Sequence, residues 1–271
     1  MEYFTFLLEN LAFYSVDLGI RYFACALIGF CILWISRRWI AGKRPVPRLP
    51  KARQIRREIG YSVATIVICG CIAPVVIVLG LGANLNFYGE VGNYGWLYFF
   101  FSIFLMMFLR DTMFYWEHRM MHTATLYPHM HHVHHLSFKV SPLSGLSIHP
   151  FEAIIASVIP YTLILFFVPK HPSAYLFFVW SDAAVAVITH LGYETFPRGF
   201  ARHWLGRWIG TATAHEAHHT KPGCNFGLYF LFWDRVMGTI DPEYVANYDK
   251  ATSSDPNVPD GIADDAAVST D

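Results

Sequence analysis

The chain has 271 residues, of which 54% are hydrophobic, 17% aromatic and only 15% charged. An ordinary soluble domain carries about 25% charged residues, so the composition excludes a soluble secreted module and a disordered protein and indicates a membrane protein. Twenty Lys and Arg balance twenty Asp and Glu, which gives no electrostatic signature of nucleic-acid binding.

Five apolar segments approach the length needed to cross a membrane, about 20 mostly apolar residues. The last two are separated only by residues 169–171, and so short a break predicts a helical hairpin that crosses and returns. The segments are Ile20–Ile35, Ile59–Leu81, Tyr94–Leu109, Phe151–Val168 and Pro172–Thr189. We therefore predict an all-α fold, a polytopic membrane helix bundle with about four to five transmembrane segments.

The basic residues predict the orientation of these segments. Nine of the twenty Lys and Arg lie between Arg37 and Arg57, with no acidic residue among them. Because cytoplasmic loops carry an excess of Lys and Arg, this loop is predicted to be cytoplasmic and the N-terminus to lie outside. Following the chain from there puts residues 110–150, and everything from His190 onward, on the cytoplasmic side. A bacterial inner membrane and the endoplasmic reticulum both fit this topology.

Two further stretches follow the last apolar segment. Residues 198–210 set Trp204 and Trp208 against several Arg residues, a pattern that predicts an interfacial helix. Residues 249–271 hold almost no large apolar side chain. They are predicted to form a disordered C-terminal tail without a catalytic part.

Nine of the fourteen histidines lie in clusters or at the end of an apolar segment. His118 and His122 are spaced i, i+4, residues 131–135 and 215–219 each form an H-x-x-H-H motif, and His190 closes the fifth segment. Residues three and four apart share one face of a helix, so each cluster can direct several imidazoles at one point. Since imidazole suits iron, zinc and copper, the pattern predicts a metal site in a histidine-rich helical cap on the cytoplasmic side.

The number of histidines favours two metal ions. One four-coordinate zinc cannot use nine imidazoles, whereas two metals with roughly four or five ligands each would use them all. Nitrogen ligands without thiolates fit a pair of irons. His129, His132, His171 and His203 are interpreted as ordinary interfacial residues, and His149 as an intermediate case.

Two other functions remain open at this point. His215-Glu216-Ala217-His218-His219 satisfies the H-E-x-x-H pattern of zinc metalloproteases, with Glu216 as the general base. That reading needs only one further ligand and leaves about six clustered histidines unexplained. A metal transporter would need ionisable residues inside the spans, where Asp182 is the main example.

Taken in order, the three histidine boxes resemble those of the fatty acid hydroxylase and sterol desaturase superfamily, integral-membrane di-iron enzymes. Further matches extend over residues 95–240, which are interpreted as the catalytic domain after an N-terminal unit, residues 1–94, of transmembrane helices and the basic loop. The matching segments are Asp111–His118 before the first box, His149–Glu152 after the second, Cys224–Gly227 after the third, Trp233–Arg235, and Gly238-Thr239.

The resemblance implies an O2-dependent oxidoreductase that hydroxylates or desaturates an unactivated C–H bond of a lipid, sterol or fatty-acyl substrate. It implies two iron ions, with O2 as co-substrate. The implied iron ligands are His118, His122, His131, His134, His135, His190, His215, His218 and His219.

Three more residues are candidates for outer-shell or additional ligands. Asp111 either orients an imidazole through its free N–H or is a plain interfacial charge, and His149 is a candidate for the outer shell. Glu194 stands where fatty acid 2-hydroxylases carry a second histidine, in an H-x-G-Y-E form that resembles the sterol-modifying branch. It is either a ligand or a surface residue.

Electrons are expected to come from another protein. The sequence contains no dinucleotide-binding fingerprint, no cysteine pattern for an iron–sulfur cluster and no haem motif. A separate electron-transfer protein and its reductase are therefore predicted to dock on the cytoplasmic face.

Overall fold

The computed structural model describes residues 2–39, 50–79 and 81–253. Within these ranges the regular structure is helical apart from two isolated β-bridges. The α-helices are α1 (Glu2–Trp39), α2 (Ala52–Gly70), α3 (Ile72–Val78), α4 (Gly95–Met121), α5 (Tyr127–Met130), α6 (His132–His135), α7 (Pro150–Ala153), α8 (Ile159–Phe167), α9 (Pro172–Thr189), α10 (Ala212–Thr220), α11 (Phe232–Val236) and α12 (Tyr244–Ala251). A π-helical turn, Ile154–Val158, joins α7 to α8.

Five helical stretches in the described residues are long and apolar enough to cross a membrane. They confirm the predicted all-α, polytopic helix bundle. The stretches are Phe4–Leu33, Ala52–Val76, Gly95–Met121, Pro150–Phe167 and Pro172–Thr189.

The predicted end of the third segment, at Leu109, is wrong. Arg110 and Asp111 follow it, yet both side chains are buried and have polar partners on neighbouring segments. Asp111 accepts three backbone N–H groups, and Arg110 lies 3.8 Å from Asp182. Because partnered charges are tolerated inside a membrane helix, α4 continues to Met121.

The second segment begins earlier than predicted and is interrupted. Helix α2 starts at Ala52 and ends at Gly70, after which α3 begins at Ile72. Gly70, the last residue of α2, lies four residues before Pro74. The Pro74 ring clashes with the carbonyl at that position, and Pro74 has no N–H to donate.

Helices α1 and α9 pack closely toward the end of the bundle that carries His190. Gly29 of α1 faces α9, and a Cβ added there would lie 2.9 Å from Val187 Cγ1 and 3.1 Å from Leu191 Cδ2. Tyr22, fully buried, belongs to the same core cluster. The glycine therefore sets how closely these two helices approach.

Helix α4 packs on the α8–α9 pair through a second apolar cluster. Met106, Ile164 and Phe178 are buried in it. Helix α8 ends at Phe167 and α9 starts at Pro172, so the predicted short connection is confirmed. Helices α4 and α9 finish at the same end of the bundle. There the His118 ring contacts the His218 ring, and the His190 ring contacts the His215 ring.

The prediction of an interfacial helix over residues 198–210 is wrong. Two single 3₁₀ turns, Phe200–Arg202 and Gly206–Trp208, replace it. His203 Nδ1 accepts the backbone N–H groups of Leu205 and Gly206, at 3.3 and 3.4 Å. This side chain thus takes up donors that a continuous helix would use.

The predicted tail begins too early at residue 249. Helix α12 continues through Ala251, and the Asp249 carboxylate accepts a hydrogen bond from Arg202 at 2.6 Å. Residues 254–271 lie outside the described residues, as do residues 40–49 of the predicted basic loop.

Replacing Gly29 with Ala is expected to lower the melting temperature of the protein in detergent. The added methyl group collides with two side chains of the α9 region, and such overpacking costs about 1–3 kcal/mol. This outweighs the gain in helix propensity of about 1 kcal/mol. Gly60→Ala is the matched control, because nothing lies within 4 Å of a Cβ at that position. A lower melting temperature for Gly60→Ala alone would contradict the packing argument.

Candidate metal centre

The structure brings all nine predicted histidines together at one end of the helix bundle. They form two groups, and within each group one ligand atom per residue lies within 4.8 Å of every other. The five-histidine group is His118, His122, His131, His135 and His218, and the four-histidine group is His134, His190, His215 and His219.

Each H-x-x-H-H motif contributes to both groups. In the third box, His215 and His219 join the four-histidine group while His218 joins the other. In the second box, residues 131 and 135 lie in the five-histidine group and His134 lies in the four-histidine group. With 3.6 residues per turn, residues i+3 and i+4 lie on either side of residue i and are about 100° apart around the helix axis, so one short motif can serve two neighbouring sites.

The orientation of the imidazoles leaves bare nitrogens facing one another. His118 Nδ1 donates to the Phe226 carbonyl at 2.9 Å, and His131 Nδ1 donates to Glu152 Oε1 at 2.7 Å. In the neutral form each ring has one N–H, so both Nε2 atoms carry lone pairs. They nevertheless lie 2.9 Å apart. A cation ligated by both nitrogens would satisfy this arrangement, and in this respect the five-histidine group fits a metal ion.

The four-histidine group also brings its ring nitrogens close together. His190 Nδ1 donates to the Ala186 carbonyl at 2.6 Å. Its Nε2 atom lies 2.8 Å from His215 Nε2 and 3.3 Å from His134 Nε2. All four imidazoles of this group are buried.

Burial also keeps these side chains in the form that binds metal. Desolvation lowers the pKa of His122, His135 and His218 to about 3 and that of His190 to about 4. The rings are therefore neutral near pH 7, and a neutral imidazole is the ligand form.

Backbone carbonyls and one carboxylate hold the opposite nitrogens. Besides Phe226 and Ala186, the Cys224 carbonyl accepts from His218 Nδ1 at 2.7 Å. Glu152 is the carboxylate, in the first turn of a membrane-length stretch and 2% exposed. Sequence reasoning did not single it out, although a Glu at such a costly position is itself a signal of function.

The loop of residues 224–230 supplies two of these carbonyls and is held by two buried carboxylates. Asp234 accepts the backbone N–H groups of Phe226 and Gly227, at 2.8 and 2.9 Å. Asp111 Oδ1 accepts those of residues 228–230, at 2.9, 2.7 and 3.1 Å. The expectation that Asp111 contacts an imidazole directly is wrong, because its hydrogen bonds go to this loop.

The second histidine box is fixed to α2 by another buried carboxylate that sequence reasoning missed. Glu58, fully buried, accepts from Ser137 Oγ at 2.7 Å, from Ser141 Oγ at 2.6 Å and from Gln54 Nε2 at 2.8 Å. Arg57 adds a hydrogen bond to the Leu136 carbonyl at 2.9 Å. Only the fold brings α2 to these serines, which lie about 80 residues later in the chain.

Glu194 and His149 lie in neither histidine group. Glu194 is 4% exposed, so its interpretation as a surface residue is wrong. Its Oε2 accepts from the Thr213 backbone N–H and hydroxyl, at 3.1 and 2.7 Å, where a carboxylate stabilises the start of α10. His149 Nδ1 accepts the Phe151 N–H at 3.2 Å and caps α7.

The structure weighs against the zinc-protease alternative. His215 and His219 of the H-E-x-x-H pattern face two further imidazoles, not one, whereas a catalytic zinc usually has three protein ligands and an open position. Glu216 is partly buried, and burial together with the nearby Glu194 raises its pKa to about 7. The five-histidine group would have no role in such an enzyme.

The comparisons with known proteins agree with the histidine pattern. The family model described as fatty acid hydroxylase matches residues 103–239. This range is just over half of the chain and contains all nine histidines. No solved structure matches the chain significantly.

Several relatives are named as sterol-modifying enzymes. A Delta(7)-sterol 5(6)-desaturase of Gibberella zeae is 28% identical, over 71% of this chain and 58% of its own. Lathosterol oxidase of Rattus norvegicus is 27% identical, over 82% of this chain and 71% of its own. C-4 methylsterol oxidase of Schizosaccharomyces pombe is 29% identical, over 78% and 72%. The chain thus matches less than two thirds of the Gibberella protein.

Glu152→Gln is expected to lower the iron affinity of the protein by about 10–100-fold, the usual effect of losing a residue that orients a ligand. The neutral amide is a weaker acceptor for His131 Nδ1–H than the carboxylate. Iron per chain, measured across a series of chelator concentrations, reports the change.

Glu90→Gln is the matched control, since this exposed glutamate precedes α4, at the end of that helix opposite to His118. Equal iron retention by Glu152→Gln and Glu90→Gln would show that Glu152 does not support the site.

Proposed function

This chain belongs to the fatty acid hydroxylase family, and we propose that it is a membrane-bound di-iron oxygenase that oxidises an unactivated C–H bond of a sterol-class lipid. The membership confirms the predicted superfamily. The matched relatives are named desaturases and oxidases, so the predicted class of oxidoreductase is confirmed as well.

One observation carries the proposal: nine imidazoles divide into groups of five and four. Either group has enough nitrogen ligands for one metal ion. Two bound irons would supply the redox chemistry that O2 activation requires, which zinc cannot supply.

The residues of the chain would hold these ions, orient the imidazoles toward them and exclude water from them. The Nδ1 contacts with Phe226, Cys224, Ala186 and Glu152 fix the direction of four imidazoles. Burial of the four-histidine group keeps bulk water away from reactive species. We infer that His149 and Glu194 support the site through the starts of α7 and α10, which they stabilise.

The position of the histidines supports a substrate that stays in the bilayer. His118 lies in the last turn of one membrane-length helix, and His190 directly follows another. A lipid alongside these helices can therefore approach both groups. We infer that this end of the bundle faces the cytoplasm, in either a bacterial inner membrane or the endoplasmic reticulum, as the basic loop indicates.

A separate electron-transfer protein and reductase remain part of the proposal. The five cysteines are all free, and the sequence has no binding motif for a redox cofactor other than the histidines. Hydroxylation and desaturation both fit the site, because the two reactions differ only in the fate of the substrate radical. The sterol substrate class rests on the names of the relatives.

The test is product analysis with iron-loaded, detergent-purified protein, O2, a chemical reductant and a sterol mixture. Mass spectrometry is expected to show a sterol that has gained one oxygen or lost two hydrogens. His118→Ala is expected to reduce the product at least 100-fold, because it removes a ligand of the five-histidine group.

His132→Ala is the matched control, since this exposed histidine lies within the second box but outside both groups. It is expected to retain activity. Full sterol oxidation by His118→Ala would contradict a role for the five-histidine group, and the absence of any oxidised sterol from the iron-loaded wild type would contradict the oxygenase.

A further inference from the structure

A continuous series of aromatic rings leads from the five-histidine group to the surface of the protein. The Phe226 ring lies edge-on to the His118 ring, with 5.7 Å between the two centroids. The Tyr115 ring lies 6.0 Å from that of Phe226, again edge-on, and the Trp233 ring stacks on Tyr115 at 6.1 Å. Trp116 contacts Trp233 at 5.7 Å and is 45% exposed. Each separation is that of an ordinary aromatic pair, so no gap interrupts the series.

The Tyr115 hydroxyl has a defined proton acceptor, although the side chain is fully buried. Its oxygen lies 3.0 Å from Thr239 Oγ1. Thr239 donates its single hydroxyl proton to Asp234 Oδ1 at 2.7 Å, so Thr239 can only accept from Tyr115. Arg119 Nη1 donates to the Tyr115 oxygen at 3.2 Å. The phenolic proton is therefore directed at Thr239.

Asp234 can take up a proton at the end of this path. Burial raises the pKa of its carboxyl group above the ordinary value, because desolvation disfavours the charged form. Proton shifts along the two hydrogen bonds carry the phenolic proton of Tyr115 to Thr239 and the hydroxyl proton of Thr239 to Asp234. A tyrosine that has lost one electron is a strong acid, so this acceptor makes Tyr115 easier to oxidise.

The residue types along the series suit the transfer of single electrons. Trp and Tyr side chains lose one electron far more readily than Phe or His, and the outer three rings are Tyr115, Trp233 and Trp116. Phe226 bridges the short distance from Tyr115 to the histidine. An oxidant formed from O2 and left without a substrate attacks the protein around it unless the site provides another outcome. Oxidisable rings that lead to the surface provide one.

We propose that Tyr115, Trp233 and Trp116 form a one-electron relay that protects the metal centre when its O2-derived oxidant meets no substrate. The relay carries electrons from a reductant at the surface inward to the five-histidine group. This inference rests on the proposed function and adds a protective activity to the same site.

Electrons and protons balance along the relay. Tyr115 gives one electron inward, by way of Phe226, and its phenolic proton moves to Thr239 while the hydroxyl proton of Thr239 moves to Asp234. Trp233 then returns one electron to Tyr115 and the protons move back. Trp116 gives one electron to Trp233. A one-electron reductant in solution, such as ascorbate, restores Trp116, so the net change is one electron passed from that reductant to the oxidant.

The first test is electron paramagnetic resonance of iron-loaded protein in nanodiscs, frozen rapidly after mixing with hydrogen peroxide in the absence of sterol. An organic radical is expected, and ring-deuterated tyrosine is expected to narrow its signal, which identifies a tyrosyl radical. Tyr115→Phe is expected to abolish this signal. Tyr88→Phe is the matched control, since Tyr88 is a buried tyrosine beside the start of α9, at the opposite end of the bundle from His190. A tyrosyl signal that survives in Tyr115→Phe, or a wild type without any protein radical, would overturn the relay.

Trp116→Phe tests the outer end of the relay. Because a phenylalanine ring is much harder to oxidise, the tyrosyl radical is expected to outlast that of the wild type when ascorbate is present. Trp96→Phe is the matched control, since Trp96 is an exposed tryptophan at the other end of α4, and it is expected to leave the decay unchanged. Equal decay in Trp116→Phe and the wild type would overturn Trp116 as the surface end.

Two substitutions of Thr239 test the proton path. Thr239→Val removes the hydroxyl that links Tyr115 to Asp234 and is expected to lower the yield of tyrosyl radical. Thr239→Ser keeps a hydroxyl and is expected to retain the yield. Iron per chain gives the number of intact centres, by which each yield is divided. Equal yields in the two variants would overturn the proton path.

Because peroxide supplies the oxidant, these measurements need neither O2 activation nor sterol turnover. A tyrosyl radical that depends on Tyr115, without any oxidised sterol in the product analysis, would contradict the oxygenase alone. Sterol oxidation by a wild type that forms no such radical would contradict the relay alone.

Discussion

The convergence of unprotonated imidazole nitrogens is the constraint on which the rest of this structure depends. Neutral lone pairs facing each other at about 3 Å, as in His118 and His131, are unfavourable unless a cation lies between or beside them. The fold supports this arrangement by giving acceptors to the opposite nitrogens of four rings. Three of these are backbone carbonyls and one is Glu152.

Buried carboxylates hold the segments that carry these acceptors and ligands. Asp111 and Asp234 together bind the backbone of residues 226–230, and Glu58 binds two serines just after the second box. An isolated carboxylate at such depth would be costly, but here each one accepts two or more hydrogen bonds. The membrane helices α2 and α4 therefore fix the second and third boxes in space, although those boxes are in loops and short helices. The metal centre depends on the bundle as well as on the histidine-rich cap.

The sequence was sufficient for the residues that follow helical spacing and insufficient for those that depend on long-range contacts. Spacing at i, i+3 and i+4 identified eight of the histidines, and the end of the fifth apolar segment identified His190. Neither signal showed that each H-x-x-H-H motif divides between two groups. Glu58 was not foreseeable, because its hydroxyl partners come from a segment that only the fold brings to α2. Arg110 and Asp111 were taken as the end of a helix because their partners, on α9 and in the 228–230 loop, are equally remote.

The most direct test of the central claim is metal content per chain after iron loading, compared among the wild type, His118→Ala and His134→Ala. These two variants each remove one imidazole from a different group. The account predicts about two irons in the wild type and about one in each variant, because the remaining group keeps its full set of ligands. A single zinc per chain that survives in His118→Ala would contradict a two-metal centre.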